Sequence, residues 1–271
     1  MQKKLLSLIL LCFISISAFA QKEYIVIKPS TKGNDVKQEV CDRVHAAVVN
    51  SIVESKRFNV VDENLSSTVP GDQTKYALET NVRKLSSIKT VVEGKTCYKG
   101  TVACSVNVIN IETNTTAATL NIEYTASITD ETPEEAEEYV LSTIDDEMKN
   151  FLIKEFPLIG EIYSDNAVVK GKKLKECYIS LGSEDGIKKG DRFTVHEVNT
   201  IVGKEVEGKS IGRLKVVEVY DDMALCEVTW GEKKVKEAMD RYIEDSNDDT
   251  ETKRLRAKMS LNIVDKVFDA I

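Results

Sequence analysis

Val102-Ala103-Cys104-Ser105-Val106-Asn107-Val108-Ile109-Asn110-Ile111 decides the fold class, read together with Leu120-Asn121-Ile122-Glu123-Tyr124-Thr125-Ala126-Ser127-Ile128. Val102, Cys104, Val106 and Val108 alternate with smaller or polar residues, the two-residue period of a strand with one face in a core. Leu120, Ile122, Tyr124, Ala126 and Ile128 repeat the pattern. Glu112-Thr113-Asn114-Thr115 between the runs supplies a turn, so Lys95 to Ile128 reads as a long antiparallel pair with one apolar side.

An apolar sheet face needs a cover, and two segments supply one. Val36, Val40, Val44, Val48 and Ile52 recur every fourth residue, which predicts a helix from the Gly33-Asn34-Asp35 turn to about Ser55. Thr132-Pro133-Glu134-Glu135 is a helix entrance: Thr at the cap, Pro at the first helical position, Glu three residues on. Ala136, Val140, Ile144, Met148, Phe151 and Phe156 then stripe one side until Pro157. Tyr24–Lys28, Phe58–Val61 and Tyr76–Leu85 read as further strands. Residues 21–157 are thus expected to form an α+β domain, a mainly antiparallel sheet with two amphipathic helices.

From Gly160 the texture changes to short β-rich pieces at Gly160–Tyr163, Glu176–Ser180, Arg192–Glu197, Gly212–Tyr220 and Met223–Trp230. Gly182–Gly186, Lys189-Gly190-Asp191 and Gly203–Gly208 divide them, the spacing of a small β-barrel over 158–231. Residues 232–271 read as a helical start, an acidic linker, and a terminal helix with Leu255, Met259, Ile263 and Val267 every fourth residue.

Ahead of all this, Lys3-Lys4, the apolar run Leu5–Ala18 and Ala18-Phe19-Ala20 have the form of a secretory signal peptide, with cleavage expected after Ala20. That leaves 251 of the 271 residues, and loss of Lys3 and Lys4 makes the net charge of −8 about −10. The expected location is the periplasm or beyond. An acidic surface disfavours nucleic acid as a partner, and disfavours binding to an anionic membrane by charge alone. No later window has the roughly 18 consecutive apolar residues that announce a membrane-spanning helix. Cys12 follows Leu11, where a lipidation motif needs a small residue, so lipidation is not expected. Five cysteines follow the signal, and Cys177 with Cys226 is the first candidate disulfide, because both fall in the barrel segment; buried free thiols are the equal alternative.

Ser55-Lys56-Arg57-Phe58-Asn59-Val60-Val61-Asp62 after a helix, Asn110-Ile111-Glu112-Thr113-Asn114 in a hairpin, and Thr132-Pro133-Glu134-Glu135-Ala136 opening a helix carry a resemblance. Over residues 24–157 the chain resembles a bacterial envelope family that includes the curli secretion component, the lipoprotein activators of penicillin-binding proteins and the N-terminal domain of TolB. Leu181-Gly182-Ser183-Glu184-Asp185-Gly186-Ile187-Lys188-Lys189-Gly190-Asp191-Arg192-Phe193-Thr194-Val195 is similar to the terminal barrel of the flagellar assembly protein T group, an SH3-like docking module. The resemblance implies a periplasmic scaffold or accessory protein. The chain departs from the curli component in lacking its acylated cysteine and evident inserted membrane hairpins, and in carrying Asn114 at the usual hairpin glycine.

Chemical motifs are weak. Ser86-x-x-Lys89 and Ser164-Asp165-Asn166 echo penicillin-recognising enzymes, but no Lys-Thr-Gly follows. Ser30-Thr31-Lys32-Gly33 has one of the glycines a phosphate loop needs. Asp245, Asn247 and Asp249 begin like a calcium loop, yet Thr250 and Arg256 occupy its glycine and glutamate positions. His45 and His196 are the only histidines, and no spacing makes a zinc site. No catalytic, cofactor or metal residue is therefore expected, and the chain reads as non-enzymatic. Envelope proteins are the expected partners, with Tyr178, Phe193, Tyr220 and Trp230 as candidate anchors. A homo-oligomer, an outer-membrane secretion channel and a cell-wall hydrolase stand as alternatives.

Overall fold

The computed structural model describes residues 22–62, 74–127, 129–202, 204–245 and 254–261. The expected signal peptide, Cys12, most of the acidic linker and residues 262–271 lie outside the described residues.

The fold is α+β, built on two sheets. In the first, β1 (Tyr24–Ile27), β2 (Thr31–Lys32), β3 (Asn59–Asp62), β4 (Thr74–Val92), β5 (Lys95–Asn110) and β6 (Thr115–Thr125) take the order β3-β1-β4-β5-β6, with β2 on β4. The β4–β5–β6 meander is antiparallel, with Val102 facing Leu85 and Cys104 facing Ile122, and its β5–β6 pair is the hairpin that the sequence predicts. The other edge is parallel: β1 pairs with both β3 and β4. Helix α1 (Gln38–Ser55) provides the crossover that a parallel β1–β3 pair requires. Asn114 ends the β5–β6 turn at φ 50°, a left-handed conformation asparagine tolerates in place of glycine.

Helix α1 starts later than the Gly33-Asn34-Asp35 turn predicts. Its N-cap is Lys37, without a side-chain cap, while Thr31–Lys32 instead joins the sheet. It buries Cys41, Val44, Val48 and Ile52, and stops because Lys56 adopts a left-handed conformation with its N–H on the Val53 carbonyl. Helix α2 (Pro133–Glu155) opens as the sequence predicts: Thr132 Oγ1 accepts from Glu135 N at 3.2 Å, and Thr132 N donates to Glu135 Oε2 at 3.1 Å. Gly100 lets α2 lie against β5, since a Cβ there would overlap the Ala136 carbonyl. Leu78, Val82, Val102, Cys104, Val106 and Val108 meet Val44, Val48, Ile52, Val140, Ile144 and Met148 in one core.

The second sheet closes on itself. Strands β7 (Ile159–Lys170), β8 (Lys173–Ile179), β9 (Arg192–Ile201), β10 (Lys204–Val219), β11 (Ala224–Trp230) and β12 (Arg254–Ser260) form a barrel in the order β10-β11-β8-β7-β12-β9. Two sequence expectations are corrected here. The Gly203–Gly208 divider is shorter than expected, since β9 runs to Ile201 and Lys204 to Gly208 lie within β10. The described start of the terminal segment is not helical but is β12, bonded to β7 and β9. Leu255 and Met259 four apart satisfy a strand as well as a helix; Ala257 between them is also buried, the two-residue period that decides it. The barrel thus needs 254–260 in addition to 158–231. Helix α3 (Glu232–Asp245) contributes Val235, Ala238 and Met239 to the barrel core, and Ile153 of α2 reaches it too.

Candidate functional site: a tyrosine surface tied to the seam

Strand alternation places three tyrosines together on the outside of the barrel. Ile162 on β7 and Cys177 and Ile179 on β8 point inward, so their neighbours Tyr163 and Tyr178 point out. These two are direct partners in the β7–β8 ladder. The Tyr178 ring lies 6.3 Å from that of Tyr220, which follows β10. Tyr163 and Tyr220 are 42% and 40% exposed, and Tyr178 is half-buried. A hydrogen bond with Glu218 pushes the Tyr220 hydroxyl above the usual tyrosine range.

The Tyr220 turn is held from both sides. Tyr220 N donates to the Met223 carbonyl at 2.8 Å, Ser183 N to the Tyr220 carbonyl at 2.8 Å, and Glu184 N to the Asp221 carbonyl at 3.0 Å. Lys56 at the end of α1 donates to the Ser183 carbonyl at 2.9 Å, so the loop beneath the tyrosines is anchored on the first domain. A turn whose backbone is held this way loses little freedom when a partner arrives.

Arg57 carries that seam further. Its guanidinium donates to the Phe156 carbonyl at 2.8 Å, at the C-terminus of α2, and contacts Met259 Sδ of β12 at 2.9 Å. Burial lowers its pKa to about 10, against the opposing pull of Asp191, so it stays charged at neutral pH. Beside it a cavity of about 70 Å³ is lined by Glu54, Asp145 and Asp191 as well as by Lys149 and Lys188. This balance of charge suits water and interdomain contacts.

The other expected anchors separate. Trp230 is 50% exposed, with Arg213 and Lys234 lying 5.9 and 6.0 Å from its ring. Phe193 is corrected: it is fully buried in the barrel core, where no partner reaches it. Tyr163 is not legible as an anchor in the sequence, because its register on the strand acquires meaning only once β8 lies beside it. Cys177 and Cys226 face each other directly in the β8–β11 ladder and are free thiols in this structure. Desolvation pushes Cys177 up to about 12 and raises Cys226 as well.

His196 sits in a cross-strand polar ladder. Its Nε2 is 3.0 Å from Thr194 Oγ1, and its Nδ1 is 3.0 Å from the Gly208 carbonyl and 3.3 Å from Glu207 Oε1. Glu207 is shared with Lys258 at 3.1 Å, and Thr194 Oγ1 is also 3.3 Å from the Lys258 carbonyl. These groups satisfy one another across three strands. Among the described residues no cluster of three or more His, Cys, Asp or Glu side chains could hold a metal ion, and no helix is long and apolar enough to cross a membrane.

No family model matches the chain, and no curated protein does. Among solved structures, a PelC dodecamer from Paraburkholderia phytofirmans is similar at 11% identity and TM-score 0.35, over 48% of this chain and 85% of that one. Protein XCC0632 from Xanthomonas campestris is similar at 14% identity and TM-score 0.33, over 46% and 80%. The hypothetical protein CT253 from Chlamydia trachomatis is similar at 10% identity and TM-score 0.34, over 48% and 98%. Overlays of this extent say nothing about activity.

Proposed function

We propose that the protein is a non-enzymatic cell-envelope scaffold or accessory protein, working through protein–protein contacts in the periplasm. The observation that carries this reading is the Tyr163–Tyr178–Tyr220 surface, aromatic, exposed and pinned through Ser183 to the first domain. Exposed tyrosines on a rigid base are the composition of interface hot spots, where large amphipathic rings bury area at low entropic cost. The resemblance of residues 24–157 to envelope proteins, and of the Leu181–Val195 stretch to a docking barrel, supports the same reading. The seam would fix the orientation in which the barrel presents its tyrosines.

The test is site-specific photo-crosslinking in cells from position 178, followed by mass spectrometry and a variant combining Tyr163→Ala with Tyr220→Ala. The expected result is one or a few defined envelope proteins, with recovery reduced about tenfold or more in the variant, as for loss of hot-spot side chains. Capture that is absent, or unchanged by the variant at equal protein level, would overturn the reading.

A further inference from the structure

Strands β4 and β5 are far longer than the sheet they belong to, and their shared end leaves it. Strand β6 stops pairing at Thr125 against Thr101, and the partners of β4 on its other edge end at Val82. Beyond that the two strands pair only with each other, from Ile88 opposite Lys99 to Val92 opposite Lys95, apart from one bridge between Tyr98 and Asp130. Five residue pairs at the usual strand rise make a projecting arm of about 14 Å. Its tip turns through Glu93 and Gly94, both at positive φ, 51° and 79°.

This arm combines exposed aliphatic side chains with an excess of lysine. Ile88, Val91 and Val92 are 50%, 66% and 44% exposed. Between Lys84 and Lys99 the chain carries Lys84, Lys89, Lys95 and Lys99 against the single acid Glu93, in a protein of net charge −8. Directly opposed residues share a face of the ladder. Ile88 with Lys99 and Val92 with Lys95 therefore occupy one face, and Val91 with Thr96 and Lys89 with Tyr98 the other.

We propose that this arm docks on an anionic lipid bilayer, its aliphatic tip entering the interface and its lysines meeting the lipid phosphates. The distribution over both faces selects this partner. Each face of the ribbon carries both an exposed aliphatic side chain and a lysine, Ile88 and Val92 with Lys95 on one and Val91 with Lys89 on the other, so either face can meet an interface that is apolar inside and anionic at its surface. Lysines flanking such a tip bury their stems and keep their ammonium groups at headgroup level. The acidic body does not forbid this, because the arm holds its tip farther out than the Debye length of about 8 Å at physiological ionic strength. Asp130 and Glu131 lie at the base of the arm, on the body side of that distance. Peripheral docking of this kind is separate from the tyrosine surface, so either can fail alone.

The experiment uses the secreted protein, its N-terminus verified by mass spectrometry so that no signal peptide confounds lipid binding. It is sedimented with vesicles of phosphatidylcholine containing roughly 30% phosphatidylglycerol, and with vesicles of phosphatidylcholine alone, in roughly 0.1 M salt. Binding to the anionic vesicles is expected, weakened at higher salt. It should fall about tenfold in the Lys89→Glu, Lys95→Glu pair and again in the Val91→Asp, Val92→Asp pair. These positions are solvent-exposed, so circular dichroism and the melting temperature should match the parent, and Tyr163→Ala with Tyr220→Ala should bind vesicles normally. Absence of binding, equal binding to neutral vesicles, or folded arm variants that bind like the parent would each overturn the proposal. So would a protein crosslinked from position 91 in cells while vesicles remain unbound.

Discussion

At the residue scale, single side chains decide how closely elements can approach. Gly100 is the clearest: a methyl group there collides with the Ala136 backbone and presses on Val140. Backbone cannot move aside as a flexible side chain can, so Gly100→Ala is expected to destabilise by about 1–3 kcal/mol or more, as overpacking does. Urea denaturation of the variant beside the parent measures it. Thiol reactivity gives a second expectation. Cys41, Cys104, Cys177 and Cys226 are buried, and burial pushes Cys104 up to about 11 and Cys177 up to about 12. At about pH 8, well below those values, these two groups hold almost no thiolate in the folded state. Among the described cysteines, Cys97, half-exposed on the β4–β5 arm, should therefore be the one an alkylating reagent modifies in native protein, with peptide mapping as the check.

At the element scale, α2 shows how much of a helix is local. The Thr132 and Glu135 capping box satisfies two backbone groups that nothing else in the helix can. Thr132→Ala should cost about 1 kcal/mol, seen as a lower midpoint at unchanged denaturant slope. This entrance and its buried stripe are legible in the sequence because cap chemistry and a helical period involve neighbours within one turn. The β5–β6 pair is legible for the same reason, its register being set by a short turn and by one apolar face. The β1–β3 and β1–β4 pairings are not. Each joins residues far apart in the chain, Tyr24 to Asn59 and Ile25 to Tyr76, and nothing in Tyr24–Ile27 says which strands lie beside it.

At the scale of the whole molecule, the barrel closes only when the chain returns with β12. Removing residues 250–271 deletes Leu255, Ala257 and Met259 from the core and exposes the edges of β7 and β9. Loss of a buried leucine or methionine alone costs about 2–5 kcal/mol, so this truncation should unfold the barrel. Hydrogen exchange should show lost protection over 159–230, with α2 and the β4–β5–β6 meander less affected. A terminal tail outside the barrel would instead be dispensable. The seam adds a second molecular-scale feature: Arg57 joins the end of α1 to α2 and β12, and Lys56 joins it to the loop under Tyr220.

Local pattern along the chain is enough for the α+β class, the capped second helix, the long antiparallel pair and the presence of a β-rich second half. All of these rest on periods and caps that adjacent residues make for themselves. The rest depends on contacts between residues far apart in the chain. Leu255 and Met259 fit helix and strand equally by spacing, and the burial of Ala257 between them, where β12 fills the gap between β7 and β9, selects the strand. Phe193 and Tyr178 look alike as anchors, and only the inward or outward sense of each strand buries one and exposes the other. Tyr163, Tyr178 and Tyr220 become one surface, and Ile88, Val91 and Val92 an exposed tip, through pairings whose partners lie elsewhere in the chain. Exposure belongs to an assembled surface, and no single stretch of sequence carries it.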